Sequence, residues 1–319
     1  MSYPDAFRPM GDKISSDDFA AYKTAAVSYE DELYGVPFDS GVAALFYRTD
    51  YLSEIGYTEE DMQDLTWEEY LSLGEQLKTK GHMLQTYNPN DIAEFQIMLQ
   101  SAGKWFTNEK GEADFIDNAA LEECYSIFKQ LNEADYTKVV SDWTEFAGAI
   151  NSGEVACVLR GCWMTSTLMA EESQSGKWAL APIPKMNAEG ATHYSNQGGS
   201  SWFVLNDSPN SEIAADFLAK TFGSSTELYN TLLKEKSIIG TFLPATDVEA
   251  YEETSEFFSN QQVNKLLGDW MTKIPAVDTG AFSAEAQNSL VSVTPAILEG
   301  GDLAENLATA EEQFKQSIQ

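Results

Sequence analysis

Short apolar runs alternate with amphipathic stretches along most of the chain. The apolar runs predict strands at 33–38, 43–47, 82–87, 155–159, 178–183 and 201–205. Apolar positions at helical spacing predict helices at 66–80, 91–101, 118–134, 142–151, 211–222, 225–236, 255–273, 283–299 and 302–319. This alternation is typical of an α/β protein with mainly parallel strands, and the segments after residue 211 predict a helix-rich C-terminal part.

One helix start carries a complete local signal. Thr66 and Glu69 have the spacing of a capping box, in which the hydroxyl and the carboxylate each satisfy a first-turn amide that has no partner within the helix. We therefore expect the helix at 66–80 to begin at this pair.

The length of the chain and its lack of a linker together indicate two lobes. At 319 residues the chain is longer than one ordinary domain needs, yet it contains no long stretch rich in Pro, Gly or Ser. Several short crossings between lobes fit this pattern, and such crossings place a ligand cleft at the hinge. The best candidates are 39–41 and 196–200. In the second, Gly198 and Gly199 permit a close backbone approach as readily as an ordinary turn before a strand.

The chain is strongly acidic. It has 19 Lys and Arg against 51 Asp and Glu, which gives a formal net charge of −32. Such a charge repels nucleic-acid phosphates and anionic lipids, so the sequence predicts no nucleic-acid partner. A solvated acidic surface explains this charge without a cation site. The sequence has no run of about 20 apolar residues that could span a bilayer.

Residue patterns for catalysis, metal binding or cofactor binding are scarce. His82 and His193 stand far apart, in no metal-ligand spacing, and the glycine motifs that bind nucleotides are missing. Cys124, Cys157 and Cys162 form no CxxC pair, and the apolar run around Cys157 predicts a small buried hydrophobe. We therefore expect no metal, no cofactor and no catalytic residue. A glycosidase or lyase, with a carboxylate pair that the sequence does not mark, stays open as the alternative function.

The seven tryptophans divide into two groups. Three are expected in the core: Trp67, Trp178 and Trp270. Four stand beside turn or small residues: Trp105, Trp143, Trp163 and Trp202. Sugars present apolar C–H faces rimmed by hydroxyls, so their sites combine flat aromatic platforms with Asp, Asn and Gln side chains. The second group therefore contains candidates for a sugar platform.

Four segments carry a family resemblance. They are 34–52 (YGVPFDSGVAALFYRTDYL), 151–163 (NSGEVACVLRGCW), 198–202 (GGSSW) and 257–262 (FFSNQQ). In this order and spacing they resemble the carbohydrate-type extracellular solute-binding proteins of ABC importers, the family of the maltose-binding protein. The resemblance covers essentially the whole chain.

The resemblance implies a two-lobed periplasmic-binding-protein-like fold with discontinuous lobes. The first lobe would comprise 1–38 and 199–246, and the second 39–198 and 247–319. It also implies a monomeric receptor, not an enzyme, that captures an oligosaccharide between the lobes and delivers it to the membrane permease subunits of an ABC importer. Such receptors work at the extracellular face of the membrane, lipid-anchored in the full-length protein. Because the match starts late in the first lobe, the signal peptide and anchoring cysteine are not expected in this chain.

The resemblance finally implies a set of ligand-binding residues. The two crossings supply five of them: Asp39, Ser40, Gly198, Gly199 and Ser200. Trp163 matches a Gly-x-Trp aromatic that stacks on a sugar ring, although Cys162 stands where the maltose receptor has Pro. Three further residues complete the expected set: Tyr87, Trp143 and Phe282.

Overall fold

The computed structural model describes residues 4–108 and 110–319, so residues 1–3 of the predicted first lobe lie outside the described part. The strands are β1 (Ser28–Tyr29), β2 (Glu32–Leu33), β3 (Gly35–Pro37), β4 (Ala43–Arg48), β5 (Gln85–Tyr87), β6 (Thr137–Val139), β7 (Cys157–Gly161), β8 (Trp178–Ala181) and β9 (Ser201–Phe203). The helices are α1 (Ala21–Ala26), α2 (Thr49–Ser53), α3 (Trp67–Lys80), α4 (Ala93–Ser101), α5 (Ala119–Glu133), α6 (Trp143–Asn151), α7 (Met164–Met169), α8 (Ser211–Lys220), α9 (Thr226–Lys236), α10 (Val263–Met271), α11 (Ser283–Leu298) and α12 (Leu303–Ser317).

The start of α3 confirms the capping box. Thr66 Oγ1 accepts a hydrogen bond from Glu69 N at 3.2 Å, and Thr66 N donates to Glu69 Oε2 at 2.8 Å. The helix ends at Gly81, whose φ of 88° lies in the left-handed region that favours glycine. Both ends of α3 are therefore determined by local sequence.

The central sheet has the order β7-β4-β8, and both pairings are antiparallel. The pairs β1–β2 and β3–β9 are antiparallel as well, whereas β5–β6 is parallel. The expectation of mainly parallel strands was therefore wrong for the strands of the described residues. All six residues of β4 are buried, and a strand buried on both faces is equally apolar whichever way its neighbours run.

Strand β4 divides the core into two clusters of buried residues. Leu45 and Tyr47 pack into the first cluster, which also draws on α3, α4, α5, α11 and α12, whereas Ala44 and Phe46 pack into the second. This alternation follows from the two-residue period of a strand. A third cluster joins residues near the start of the chain, such as Met10 and Val36, to residues of 204–245.

Most predicted helices and strands appear within a few residues of their expected bounds. The helix expected at 255–273 begins only at Val263, because Ser259 and Asn260 adopt φ angles of 52° and 63° in a turn. The core prediction for Trp67, Trp178 and Trp270 is confirmed, with exposed fractions of 2%, 0% and 5%. All three cysteines are free and buried, which confirms the prediction for Cys157.

Candidate functional site

The two segments predicted to cross between lobes, 39–41 and 196–200, lie side by side. Gly41 N donates a hydrogen bond to Asn196 Oδ1 at 2.9 Å, and Gln197 N donates to Gly41 O at 2.7 Å. A Cβ atom on Gly41 would lie 1.9 Å from Gln197 O, so only glycine fits at this position. The two backbone segments are therefore held in direct contact.

The side chains of the first crossing are engaged within the protein. Asp39 Oδ1 accepts a hydrogen bond from Ser200 N at 2.6 Å and so ties the two crossings together. Ser40 is only 3% exposed, its Oγ shares a hydrogen bond with the Tyr22 hydroxyl, and its N donates to Ile239 O. The Ser40 side chain is thus buried and already bonded, and the contact of Ser40 with a ligand stays a prediction.

The glycines of the second crossing are open to solvent. Gly198, Gly199 and Ser200 are exposed, and the two glycines have φ angles of 92° and 79°. Asn196 Nδ2 donates to Gly198 O at 2.9 Å and fixes the shape of this turn. Backbone groups of the second crossing are therefore accessible from solvent, and their contact with a ligand stays a prediction.

Two exposed tryptophans stand next to this crossing. Trp143 begins α6, directly after its N-cap Asp142, and Trp163 follows β7. They are 52% and 40% exposed, and their ring centroids are 5.7 Å apart with the planes tilted by 49°. Trp143 also stacks on Phe146 at 5.2 Å, and Trp163 Nε1 donates to Gln197 O at 3.3 Å. Neighbouring side chains and the crossing backbone thus hold both indoles in place.

A cavity of about 370 Å³ opens beside the two indoles. It is lined by Asn88, Asp91, Ala93, Gln96, Asp142, Trp143, Phe146, Arg160, Trp163 and Gln197. Aromatic faces and amide or carboxylate groups thus share one wall. That combination suits a ligand that has apolar faces and hydroxyl edges.

A buried ion pair joins the cavity lining through its arginine. Arg160 Nη1 lies 2.5 Å from Glu94 Oε1, and both side chains are more than nine-tenths buried. Arg160 Nη2 also lies 3.5 Å from Asp91 Oδ2, and its guanidinium stands 5.0 Å over the Phe146 ring. Burial raises the pKa of Glu94, and the positive charge of Arg160 opposes this rise. Through Phe146 the ion pair supports the base of Trp143.

Of the nine expected site residues, Trp143 and Trp163 line this cavity, whereas the five crossing residues, Tyr87 and Phe282 do not. Tyr87 is 9% exposed and packs against Phe128 in the core, and its hydroxyl is buried without a hydrogen-bond partner in the described residues. Tyr87 thus does not line this cavity, and its contact with a ligand stays a prediction. Phe282 is 38% exposed at the start of α11, one residue before Ser283, whose Oγ accepts from Trp105 Nε1.

Several lining residues were not expected from the sequence. Gln197, Gln96 and Asn88 look like ordinary surface amides, and their place in the cavity depends on contacts between distant segments. Arg160 offered one usable signal, since it follows the apolar run 155–159 directly before a Gly-x-Trp turn. A charged residue in such a run needs a buried partner beside the tryptophan.

A larger and more open depression, of about 960 Å³, lies between α1 and the β1–β2 hairpin. Most of the residues that line it are small or charged, and Tyr29 is the aromatic residue among them. Within residues 4–108 and 110–319, no group of three or more His, Cys, Asp or Glu side chains could hold a metal ion. In the same part of the chain, no helix is both long and apolar enough to cross a bilayer.

The family model for bacterial extracellular solute-binding proteins matches residues 2–263. This chain belongs to that family. The membership confirms the resemblance seen in the four sequence segments. It also assigns the chain to a class of receptors that bind solutes.

Similar proteins include sugar-binding receptors. The chain is 40% identical over 319 residues to the lactose-binding protein of Rhizobium radiobacter, covering 100% of this chain and 76% of that protein. It is 24% identical over 297 residues to the arabinooligosaccharide-binding protein of Halalkalibacterium halodurans, covering 88% of this chain and 64% of that protein.

Solved structures confirm the fold. The galacto-N-biose-/lacto-N-biose I-binding protein of Bifidobacterium longum, in complex with lacto-N-biose, has a TM-score of 0.77 at 19% identity, covering 99% of this chain and 79% of that one. The sugar-binding protein MalE of Xanthomonas citri has a TM-score of 0.79 at 16% identity, covering 100% and 81%. The chain therefore has the two-lobed α/β fold of these solute-binding proteins.

Proposed function

We propose that this protein is the receptor of an ABC importer that captures a short oligosaccharide in the cavity beside Trp143 and Trp163. One observation carries the proposal: two exposed indoles, 5.7 Å apart, stand over a cavity rimmed by amides and carboxylates. The indoles provide apolar platforms for sugar C–H faces, and the polar rim satisfies hydroxyl groups. Binding needs no covalent chemistry.

A galactose-containing disaccharide is the first ligand to test. Over the whole length of the present chain, the lactose-binding protein of Rhizobium radiobacter is 40% identical to it. The arabinooligosaccharide-binding protein of Halalkalibacterium halodurans is a more distant relative. We therefore rank β-galactosides first and arabino-oligosaccharides second.

The proposal includes closure of two lobes around the ligand. The first lobe comprises 1–38 and 199–246, and the second comprises 39–198 and 247–319. The third core cluster supports this division, because it joins residues before 37 to residues of 204–245. The crossings at 39–41 and 196–200 then serve as the hinge, and closure on sugar produces the form that permease subunits recognise.

The setting of the receptor is part of the same proposal. We place it at the extracellular face of the membrane, as a monomer, with lipid anchoring in the full-length protein. Its family of extracellular solute-binding proteins supports this location. A formal charge of −32 supports a well-solvated surface that stays unassociated.

The carboxylates of the cavity support a receptor over a glycosidase. Asp91 Oδ1 accepts from Ala93 N at 2.9 Å, and its Oδ2 faces Arg160. Asp142 Oδ1 accepts from Glu145 N at 3.0 Å as the N-cap of α6. Each carboxylate thus accepts a structural hydrogen bond, which supports a role in positioning the chain, whereas a glycosidase uses one carboxyl group to protonate the leaving group.

Calorimetric titration tests the proposal, with lactose, other β-galactosides, arabino-oligosaccharides and maltose as ligands. Trp163 is 40% exposed, so a sugar ring over it covers about 80 Å² and gains about 2 kcal/mol at 25 cal/mol per Å². Trp163→Ala should therefore weaken binding roughly 30-fold. Trp202→Ala is the matched control, because Trp202 is 41% exposed but packs against Phe38 and Phe222, away from the cavity.

Two results would overturn the proposal. The first is a wild-type protein that binds none of these sugars. The second is a Trp163→Ala variant that binds as tightly as Trp202→Ala does. Chromatography of the sugar after prolonged incubation separates a receptor from an enzyme, since a receptor returns its ligand uncleaved.

A further inference from the structure

Helix α1 presents two polar side chains to the crossings. Tyr22 donates from its hydroxyl to Asn196 Oδ1 at 3.2 Å. The next residue, Lys23, is only 7% exposed. In contrast to its neighbour, the Lys23 ammonium forms no hydrogen bond and has no carboxylate oxygen within 4.0 Å in the described part of the chain.

An unpaired ammonium on a largely buried side chain carries a free-energy cost. Transfer of a charged group out of water is unfavourable unless hydrogen bonds or an opposite charge compensate for it. Burial lowers the pKa of Lys23, and the nearby negative charge of Asp39 opposes this effect. Asp39 Oδ1 already accepts a hydrogen bond from Ser200 N. The carboxylate of Asp39 therefore attracts the Lys23 ammonium from a distance, without a direct contact. The N–H donors of the Lys23 ammonium thus have no acceptor within the described residues.

The position of Lys23 relative to the indole platform can be read from the second crossing. A Cβ atom built on Gly199 would lie 3.0 Å from Lys23 Nζ, and one built on Gly198 would lie 3.8 Å from Trp163 Nε1. Since neighbouring Cα atoms are about 3.8 Å apart, the ammonium and the indole nitrogen are separated by no more than about 14 Å. A short oligosaccharide can span this distance.

We propose that Lys23 is a ligand-binding residue of the first lobe, and that its ammonium donates hydrogen bonds to hydroxyl or ring oxygens of the sugar held by Trp163. This inference rests on the proposed function, since it concerns the sugar that Trp163 is proposed to hold. Trp163 approaches the turn at Gly198 from the second lobe, and Lys23 approaches Gly199 from the first. A ligand bonded to both would link the lobes in the closed form.

The chemistry predicts a specific form of selectivity. An ammonium group has three donors and no acceptor, so its ligand must present oxygen atoms. A site built to donate to one hydroxyl rejects the deoxy analogue, because the donor then stays buried without a partner. One deoxy position of the sugar should therefore be decisive for affinity in the wild-type protein and unimportant once Lys23 is replaced.

The test uses Lys23→Met, which keeps the length of the side chain and removes its charge. Calorimetry with the tightest-binding sugar and its singly deoxygenated analogues is expected to show at least about tenfold weaker binding of the parent sugar by Lys23→Met. The variant should also lose the discrimination against one analogue. Lys13→Met is the matched control, because Lys13 pairs with Glu212 and Asp216 on the surface of the same lobe.

Thermal unfolding of the same variants separates binding from a structural role. Removal of an unpaired charge that is only partly solvated should leave the midpoint of Lys23→Met unchanged or higher, whereas a structural lysine would give a lower midpoint. Wild-type binding together with unchanged affinity and discrimination in Lys23→Met would overturn this inference alone. Absence of any sugar binding by the wild-type protein would instead overturn the proposed function.

Discussion

Replacement of Arg160 by Met should strongly destabilise the protein. The substitution leaves the Glu94 carboxylate nine-tenths buried without the guanidinium that lies 2.5 Å away in the wild-type protein. Removal of one partner of a buried ion pair costs about 3 to 5 kcal/mol, because the other charge stays buried and uncompensated. Asp91 contributes little to this figure, since its side chain is 43% exposed and water screens its charge.

The loss should depend on pH in a defined direction. Burial already raises the pKa of Glu94 above its ordinary value, and Arg160→Met removes the charge that opposes this rise. A carboxyl group with a raised folded-state pKa stabilises the fold below its unfolded pKa, and this contribution is lost as pH rises through the folded pKa. The free energy of unfolding of Arg160→Met should therefore be closest to that of the wild-type protein in acid, and the difference should be largest at neutral and alkaline pH.

Urea unfolding of four proteins measures these quantities: wild type, Arg160→Met, the double variant Arg160→Met/Glu94→Leu, and Lys129→Met. The double variant should recover most of the lost stability, because no unpaired charge remains. Lys129 forms an exposed pair with Glu133 at 3.9 Å, so its replacement should change stability by less than about 0.5 kcal/mol. The reasoning is refuted if Arg160→Met costs no more than Lys129→Met, or if the double variant is as unstable as the single one.

Two further substitutions probe other local features. A Cβ atom on Gly161 would lie 2.5 Å from Trp163 Nε1, so Gly161→Ala should displace the indole and weaken sugar binding about tenfold in calorimetry; unchanged affinity would show that the indole position is not important. Thr66→Ala removes the hydroxyl that accepts from Glu69 N, and urea unfolding should show a loss of about 1 kcal/mol with sugar affinity preserved.

Much of the fold could be predicted because its signals are local. The capping box at Thr66 and the helical spacing of apolar residues depend on neighbours within one or two turns, so α3, α5 and α11 appeared at their expected places. Strand direction was predicted wrongly, because it depends on which distant segment lies alongside β4. The turn at Ser259 and Asn260 was not predicted either, since both residues adopt a left-handed conformation that their types permit but do not require.

The candidate site was predictable only in its aromatic part. Trp143 and Trp163 stood beside a helix cap and a Gly-x-Trp turn, where a side chain is more easily exposed than within a periodic core face. Lys23 and Gln197 carry no local signal of this kind. Lys23 lies close to Gly199 only because the folded chain brings α1 against the second crossing.

The distribution of charge around the site favours a neutral ligand. Every arginine of the chain already pairs with acidic side chains: Arg8 with Asp12 and Glu212, Arg48 with Asp50, and Arg160 with Glu94 and Asp91. No guanidinium is therefore available to clamp a phosphate or carboxylate in a bidentate manner.

The unpaired Lys23 ammonium stands next to Asp39, and the cavity wall adds Asp91 and Asp142, so acidic groups outnumber it. An anion entering this region meets repulsion from those carboxylates, whereas a polyhydroxylated neutral ligand accepts from the ammonium and donates to the carboxylates at once. Affinity for such a ligand should consequently vary little with ionic strength.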